Sequence, residues 1–333
     1  MKAATYTRTG PAAEVLTVGE MATPVAGQGE VLIRVHSSGI NPSDVKRRAG
    51  WIEKTMPHAV IIPHSDGAGE IVALGAGVDP ARLGERVWMW NAQGSYGEPG
   101  RAFGTAAEYV ALPSRQAVRL SDRLSYAEGA NLAVPAMTAH RCIYSDGPVA
   151  GQTILVNGAA GSVGLFAVQM AVADGARVIG TVSNPLAAAH VERLGAFASI
   201  DRTKENVAER VMELTGGQGV DRVVEVDFGA NFEIDIAVLK RNGTVAAYSS
   251  TSNRTPVLPY YAFAGKGANL HFVQSFHLPE DARVEGERKI TELGDAGRLN
   301  VAIGATFNLE DIAMAHERVE RGGFGNVVVV VAG

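Results

Sequence analysis

Apolar positions along the chain keep two different rhythms. Up to about residue 113 they come in short runs separated by glycine and proline turns. Residues 31–36 alternate apolar and polar as a half-buried strand does, residues 67–78 read as a glycine-spaced strand pair or bend, and 85–90 and 107–112 read as further strands. Many short strands with such turns predict a rolled, barrel-like β domain. From about Ser125 the rhythm changes. Residues 126–144 read as a helix that Pro135 should kink. Strands and helices then alternate over 153–156, 161–173, 177–182, 185–194, 197–200, 204–215, 221–226, 231–240 and 243–248, with a closing strand at 268–273. That alternation predicts a parallel sheet covered on both faces. The C-terminal part returns to mixed structure. Asn308 is placed to cap a helix whose first turn holds Glu310 and Asp311 and whose end holds Arg318 and Arg321 before Gly322-Gly323. A strand over 326–331, with five consecutive valines, should be buried on both faces.

Composition narrows the classes. The 333 residues suffice for about two domains at roughly 150 residues each. Hydrophobic residues make up 46% and charged residues 20%, which excludes a disordered chain. Lys and Arg number 30 against 35 Asp and Glu, a net charge of −5, and no basic run stands out. Nucleic acid is therefore excluded as the main partner, because phosphate neutralisation needs clustered cations. The single cysteine, Cys142, rules out an intrachain disulfide and any multi-thiolate zinc or iron–sulfur site. Residues 147–173 carry no charge and are long enough to span a bilayer. Their order, an apolar strand followed by a glycine turn and helix-spaced apolar residues, argues against a membrane segment. The N-terminal segment around Lys2 and Arg8 lacks an apolar core and does not read as a secretory signal. The expected setting is reducing and cytoplasmic.

Glycine carries the most information, with 39 residues against a usual share of about 7%. The run Val156-Asn157-Gly158-Ala159-Ala160-Gly161-Ser162-Val163-Gly164 follows a strand and opens a helix. A pyrophosphate needs a tight turn, a closely approaching backbone and N–H groups at a helix N-terminus, and the three glycines meet these demands in order. The end of the second strand selects the cofactor. NAD enzymes place an acid there, roughly 20 residues past the loop, to bind ribose hydroxyls. Here the count lands on Thr181-Val182-Ser183-Asn184, with no carboxylate. That favours a 2′-phosphate and hence NADPH. Arg202, after the next strand, either supplies charge to it or is a solvated loop arginine.

Together with Gly39-Ile40-Asn41-Pro42-Ser43-Asp44, Pro63-His64-Ser65-Asp66-Gly67-Ala68-Gly69, Gly104-Thr105-Ala106-Ala107-Glu108-Tyr109, Met137-Thr138-Ala139 and Gly325-Asn326-Val327-Val328, these residues resemble the medium-chain dehydrogenase/reductase superfamily. The resemblance is greatest to its zinc-free quinone oxidoreductase branch, the zeta-crystallin-like enzymes, and covers essentially the whole chain. It implies an α/β fold: a Rossmann doubly wound parallel sheet over 127–274, and a split GroES-like, β-rich catalytic domain from 1–126 and 275–333. It further implies a homodimer. Asn41 and Ser65 stand where zinc-dependent members carry their first two metal ligands, and the structural-zinc lobe is missing, so no metal is expected. His64 lies one residue off the ligand place, which suits a hydrogen-bonded structural or cleft role.

By resemblance Asn41 faces the nicotinamide and substrate, and Thr138 contacts the cofactor near its nicotinamide end. Ala160, Gly161, Ser162 and Val163 hold the pyrophosphate, and Ser183, Asn184 and Arg202 lie at the 2′-phosphate. Tyr248, Ser249, Ser250, Phe272 and Val273 lead toward the nicotinamide, and Asn326 lies near the closing cleft. One departure concerns the substrate. Where the branch carries tyrosine two residues after the Asp44 position, this chain has Lys46, followed by Arg48, Gly50 and Trp51. Lys46 and Trp51 are placed on the substrate side. Lys46 either attracts an anionic acceptor or supplies a proton, or it lays its stem over Trp51 and keeps its ammonium in water. The expected activity is NADPH-dependent hydride transfer to a quinone or α,β-unsaturated carbonyl. The alternatives are an enoyl-thioester reductase of the same superfamily and a non-catalytic NADPH-binding sensor or structural protein.

Overall fold

The computed structural model describes residues 1–51, 55–94 and 100–331. The chain divides into two compact units, one formed by Met1–Pro135 with Glu287–Gly333 and the other by Ala136–Gly286. Both junctions fall later in the chain than the expected boundaries at 126/127 and 274/275.

The first unit begins with β1 (Lys2–Thr5), the short helix α1 (Ala12–Val15) and β2 (Thr17–Glu20), β1 and β2 pairing antiparallel. The long strand β3 (Glu30–Ile40) is followed by α2 (Pro42–Ala49), β4 (Asp66–Leu74), β5 (Arg86–Met89), β6 (Tyr109–Pro113), β7 (Ala117–Arg119) and α3 (Tyr126–Gly129). Strand β3 organises this unit. One edge pairs with β4 along its length, and β6 occupies residues 30–34 of the other. Register shifts at Leu32/Ile33 and Val35/Ser37 bend it, as bulges do in rolled sheets. Val31, Ile33, Val35, Ile71, Val87 and Leu112 fill one core cluster, each worth about 1.5–3 kcal/mol on burial. Residues 67–78, expected as a strand pair or bend, belong largely to the single strand β4.

The second unit follows. Helix α4 (Val134–Tyr144) leads to β8 (Thr153–Val156), α5 (Ser162–Ala173), β9 (Arg177–Val182), α6 (Pro185–Arg193), β10 (Ala198–Asp201) and α7 (Val207–Leu214). Then come β11 (Val220–Glu225), α8 (Phe228–Val238), β12 (Leu239–Ala247), α9 (Tyr260–Lys266), β13 (Asn269–Phe272) and α10 (Glu280–Asp295). The strands make one parallel sheet in the order β10-β9-β8-β11-β12-β13, the doubly wound order that reverses beside its first strand. Helix α5 buries eight consecutive residues, Gly164 to Ala171, which accounts for the long uncharged stretch. Among the described residues no helix is long and apolar enough to cross a membrane. The chain returns to the first unit within α10, at Glu287, and continues with β14 (Ile303–Asn308), α11 (Ile312–Glu320) and β15 (Asn326–Val330). Strand β15 pairs antiparallel with residues 37–40 of β3, on the edge that β6 also uses, and parallel with β14.

Two local expectations are corrected. The kinked helix over 126–144 is two helices. Ser125 and Glu128 cap α3 reciprocally, and Pro135 sits in the first turn of α4, where a missing N–H costs nothing. Asn308 caps no α-helix: it precedes a 3₁₀ turn at Leu309–Asp311 and makes no side-chain cap bond, and α11 begins only at Ile312.

Candidate active site

The glycine loop joins β8 to α5. Gly158 adopts φ +67, a left-handed conformation that a side chain would strain. A Cβ on Gly164 would lie 2.3 Å from the Gly158 carbonyl oxygen and 2.8 Å from Ala159 Cα, so only glycine lets helix and loop close together. Gly161 is the N-cap of α5 and offers no side chain to its N-terminus. The opening N–H groups of the helix, at Ser162 and Val163, lack intrahelical acceptors. Half-buried Ala160 and exposed Gly161 leave the backbone open at this point. Amides and helix dipole together make an anion cradle, and these residues suit a pyrophosphate.

The neighbouring strand ends carry the remaining cofactor candidates of this unit. At the end of β9, Ser183 and Asn184 are exposed, and the Asn184 side chain accepts a bond from Ala187 N–H at 2.9 Å, capping α6. After β10, Arg202 binds Val182 O through its main chain at 3.0 Å and exposes its side chain. On the other flank, beyond β12, Ser249 pairs with Thr251 through their hydroxyls at 3.0 Å. Ser250 accepts from Gly229 N–H at 2.9 Å and donates to Asn253 O. Burial drives the Tyr248 phenol well up. Phe272 is exposed and packs edge-on to Phe228, and Val273 is buried. Thr138 is buried within α4. Thus the loop residues and the β9 to β13 candidates gather at the C-terminal ends of parallel strands, where doubly wound sheets bind ligands, whereas Thr138 reaches this unit from its entry helix.

Beneath the loop lies a buried polar network. Gly158 N–H donates to Thr181 Oγ1 at 2.9 Å, and Thr181 donates to Asn157 Oδ1 at 3.4 Å. Asn157 Nδ2 donates to Glu225 Oε2 and, at 3.1 Å, to Asp235 Oδ1. Glu225 Oε1 accepts from Asp227 N–H and, at 2.9 Å, from Asn231 Nδ2. Burial, and then the charge of Glu225, pushes the Asp235 carboxyl well above the usual range.

In the first unit the candidates cluster where β3 meets α2. Asn41 is the N-cap of α2 and 5% exposed. Its N–H donates to Asp44 Oδ2 at 2.7 Å, and its Nδ2 donates to Asp66 Oδ2 at 2.8 Å. Val134 N–H reaches the same Asp66 oxygen at 2.8 Å, and Ser65 N–H reaches Asp44 Oδ1 at 3.2 Å. Burial pushes Asp44 up to about 6, with Asn41 N–H the largest opposing influence. Burial, and then the charge of Asp44, pushes Asp66 well up. Lys46 Nζ lies 4.6 Å from the centre of the Trp51 ring, a cation–π contact. The ammonium itself therefore covers the ring, rather than only the stem. Asn326 precedes Val327, the register partner of Ile40, so Asn326 and Asn41 sit at the same end of neighbouring strands. Its Nδ2 donates to Ala302 O at 3.0 Å.

His64 is fully buried at φ +77. Its Nδ1 meets Ser38 Oγ at 2.8 Å and its Nε2 meets His316 Nε2 at 2.9 Å. Ser38 contacts Thr105 Oγ1 at 2.7 Å, and Thr105 donates to Asp66 O at 2.5 Å. Directionality follows from that last bond. Thr105 accepts from Ser38, Ser38 accepts from His64 Nδ1–H, and the bare His64 Nε2 accepts from His316 Nε2–H. His316 Nδ1 is then left as an acceptor, and it is buried with no partner among the described residues. Burial lowers His64 to about 3. His64 therefore has a hydrogen-bonded structural role, with both ring nitrogens engaged. Among the described residues no three His, Cys, Asp or Glu side chains form a metal-ligand group.

Sequence reasoning missed the buried acids Asp44, Asp66, Glu225 and Asp235 and the partner His316. Asp44 and Asp66 stood inside quoted motifs. The signal at Asp44 was its place three residues after the N-cap Asn41, that of a capping box.

A doubly wound unit with a glycine cradle, inserted in a β-rich unit threaded by both chain ends, defines a dinucleotide-type oxidoreductase. Family models agree: the alcohol dehydrogenase GroES-like domain matches residues 27–122, and the zinc-binding dehydrogenase model matches 162–281. The chain is 28% identical to the human quinone oxidoreductase over 312 residues, covering 93% of this chain and 91% of that protein. It is 30% identical to a quinone oxidoreductase-like protein 2 homolog of Nematostella vectensis over 318 residues, covering 93% and 84%. Among solved structures, an NAD-dependent alcohol dehydrogenase superposes with TM-score 0.89 at 27% identity, covering all of both chains. A mycobacterial protein complexed with NADPH superposes at 0.85 and 28%, covering 99% of this chain and all of that one. The chain belongs to the medium-chain dehydrogenase/reductase superfamily, among its quinone oxidoreductase-like members.

Proposed function

We propose that this oxidoreductase uses NADPH, without zinc, to reduce a quinone or an α,β-unsaturated carbonyl. The observation that carries the reading is the glycine cradle on β8 and α5 beside an acid-free end of β9, with exposed Arg202 following β10. These residues fit the cofactor, since the Gly161 N-cap puts no side chain over the opening N–H groups of α5 and the absent Cβ of Gly164 lets loop and helix close together. NADPH, when bound, supplies the hydride. Ala160, Gly161, Ser162 and Val163 hold its pyrophosphate, and Ser183, Asn184 and Arg202 hold the 2′-phosphate. Thr138, Tyr248, Ser249, Ser250, Phe272, Val273 and Asn326 orient the nicotinamide end. Asn41 Nδ2 donates to Asp66 and its side chain also hydrogen-bonds Asp44, so the two acids orient the amide proposed to donate to an acceptor oxygen that gains charge. Lys46 and Trp51 lie on the acceptor side.

Zinc independence is supported by donor chemistry. At the two ligand places of zinc-dependent relatives stand Asn41 and Ser65, and both ring nitrogens of the adjacent His64 already hold partners. NADPH consumption with 1,2-naphthoquinone, and in parallel with a crotonyl thioester, tests the substrate class. Faster turnover of the quinone is expected. Preference for the thioester would move the enzyme to the enoyl-thioester reductases, and consumption with neither would leave a nucleotide-binding protein. Metal analysis of tag-free protein is expected to find no stoichiometric zinc, and chelators should leave activity intact. Stoichiometric zinc whose removal abolishes turnover would overturn the metal-free mechanism.

A further inference from the structure

The buried network below the glycine loop has a direction, and that direction depends on two acids. Asn157, the residue before Gly158, uses both ends of its amide. Its Nδ2 faces two acceptors, Glu225 Oε2 and Asp235 Oδ1. Its Oδ1 is thereby turned to Thr181, whose hydroxyl must donate to it and so keeps a lone pair for Gly158 N–H. With the amide turned over, its oxygen would face the two acids and the Thr181 hydroxyl hydrogen would lose its acceptor.

The acids are not equivalent. Three donors converge on Glu225: Asn157 Nδ2, Asp227 N–H and Asn231 Nδ2. Asp235 receives only the Asn157 amide, and its Oδ2 is buried with no donor among the described residues. One nitrogen, Asn157 Nδ2, sits against an oxygen of each acid, so the two buried carboxyl groups meet around it, and the charge of Glu225 raises Asp235. Two carboxyl groups share a site in this way only if one of them carries a hydrogen. Glu225 is fully supplied with donors, so the hydrogen belongs on Asp235.

We propose that Asp235 is a positioning residue, a protonated carboxyl that donates to Glu225 and so fixes Asn157, Thr181 and the glycine loop in the posture that receives the dinucleotide. The inference rests on the reading of that loop as the NADPH site. None of the four residues needs to touch the cofactor: Asn157, Thr181, Glu225 and Asp235 are all at most 5% exposed.

The test uses the full chain and NADPH as probe, following the rise in NADPH fluorescence on binding, with thermal unfolding recorded in parallel. Asp235→Ala is expected to raise the NADPH dissociation constant about tenfold or more, because buried donors and acceptors lose their partners. Asp235→Asn should largely restore binding, since its amide still donates to Glu225 and its oxygen still accepts from Asn157. Glu225→Gln, equally isosteric, should not bind well, because its amide nitrogen must face one of three N–H donors. Thr181→Val leaves the acids intact and removes both bonds of the hydroxyl, the one from Gly158 N–H and the long one to Asn157 Oδ1. It should weaken NADPH about fivefold, the loss of the shorter bond that reaches the loop, with thermal unfolding reporting whether the fold is kept. Tolerance of Glu225→Gln with loss in Asp235→Asn would reverse the proton assignment and overturn the proposal. So would wild-type affinity in Thr181→Val and Asp235→Ala while the wild-type chain binds NADPH. Failure of the wild-type chain to bind NADPH at all would instead remove the functional reading, and this inference with it.

Discussion

His64 holds an unusual position for a histidine, fully buried in the left-handed region with its ring between Ser38 and His316. The pair works only while neutral, and this gives it a pH signature. A group held at about 3 in the fold, against about 6.5 when unfolded, contributes stability that is present above pH 6.5 and is lost as pH falls toward 3. Between pH 7.5 and 4.5 that loss is about 3 kcal/mol. Asp44, pushed up to about 6, works in the opposite sense: its cost appears as pH rises from about 4 to 6. The wild-type slope is the sum of both, so a variant isolates the histidine. Asn tolerates positive φ, which makes His64→Asn suitable. All three tryptophans, Trp51, Trp88 and Trp90, lie in the first unit, so urea unfolding followed by their fluorescence reports on that unit alone. The advantage of wild type over His64→Asn should shrink by about 3 kcal/mol between pH 7.5 and 4.5. A constant difference across that range would show that His64 does not titrate with folding.

At the scale of elements, periodicity identified what is locally determined. Strands β8 and β9 and helices α5 and α6 lie within a residue of their expected bounds, because Gly151, Gly158, Gly161, Gly175, Gly195 and the N-cap Asn184 punctuate the chain between them. The errors came where two local rules competed. Pro135 signals a kink in a continuous helix but equally a first helical turn, and the reciprocal caps on α3 decided for the second. Strand β12 begins at Leu239 rather than 243, in a stretch that reads equally as the end of a helix, and pairing with β11 settles it. The cofactor candidates near the loop were legible because the phosphate chemistry resides in local backbone. The acids that support them were not, because Glu225 and Asp235 meet Asn157 only across 68 and 78 residues of chain. The acid-free end of β9 carries a prediction of its own. A charge-assisted bond from Arg202 to a 2′-phosphate is worth about 1.5–3 kcal/mol, or roughly ten- to a hundredfold. Arg202→Ala is expected to raise the NADPH dissociation constant by that factor and leave NADH nearly unchanged, as measured by equilibrium titration. Equal effects on both would reassign Arg202 to folding or general positioning.

At the scale of the molecule, a chain of moderate charge with no basic run builds one unit for a dinucleotide and draws both its ends into the β-rich unit. The parallel sheet of the dinucleotide unit follows from alternating elements alone. The return of β15 onto β3 does not, since it joins residues nearly three hundred positions apart, and only the resemblance to a split-domain family anticipated it. The glycine cradle and the acid-free strand end are proposed to take NADPH, and calorimetric titration of the wild-type chain with NADPH and with NADH tests this most directly. Saturable binding of NADPH, about ten- to a hundredfold tighter than NADH, is the predicted result. Binding of neither cofactor, or binding of NADH as tightly as NADPH, would contradict it.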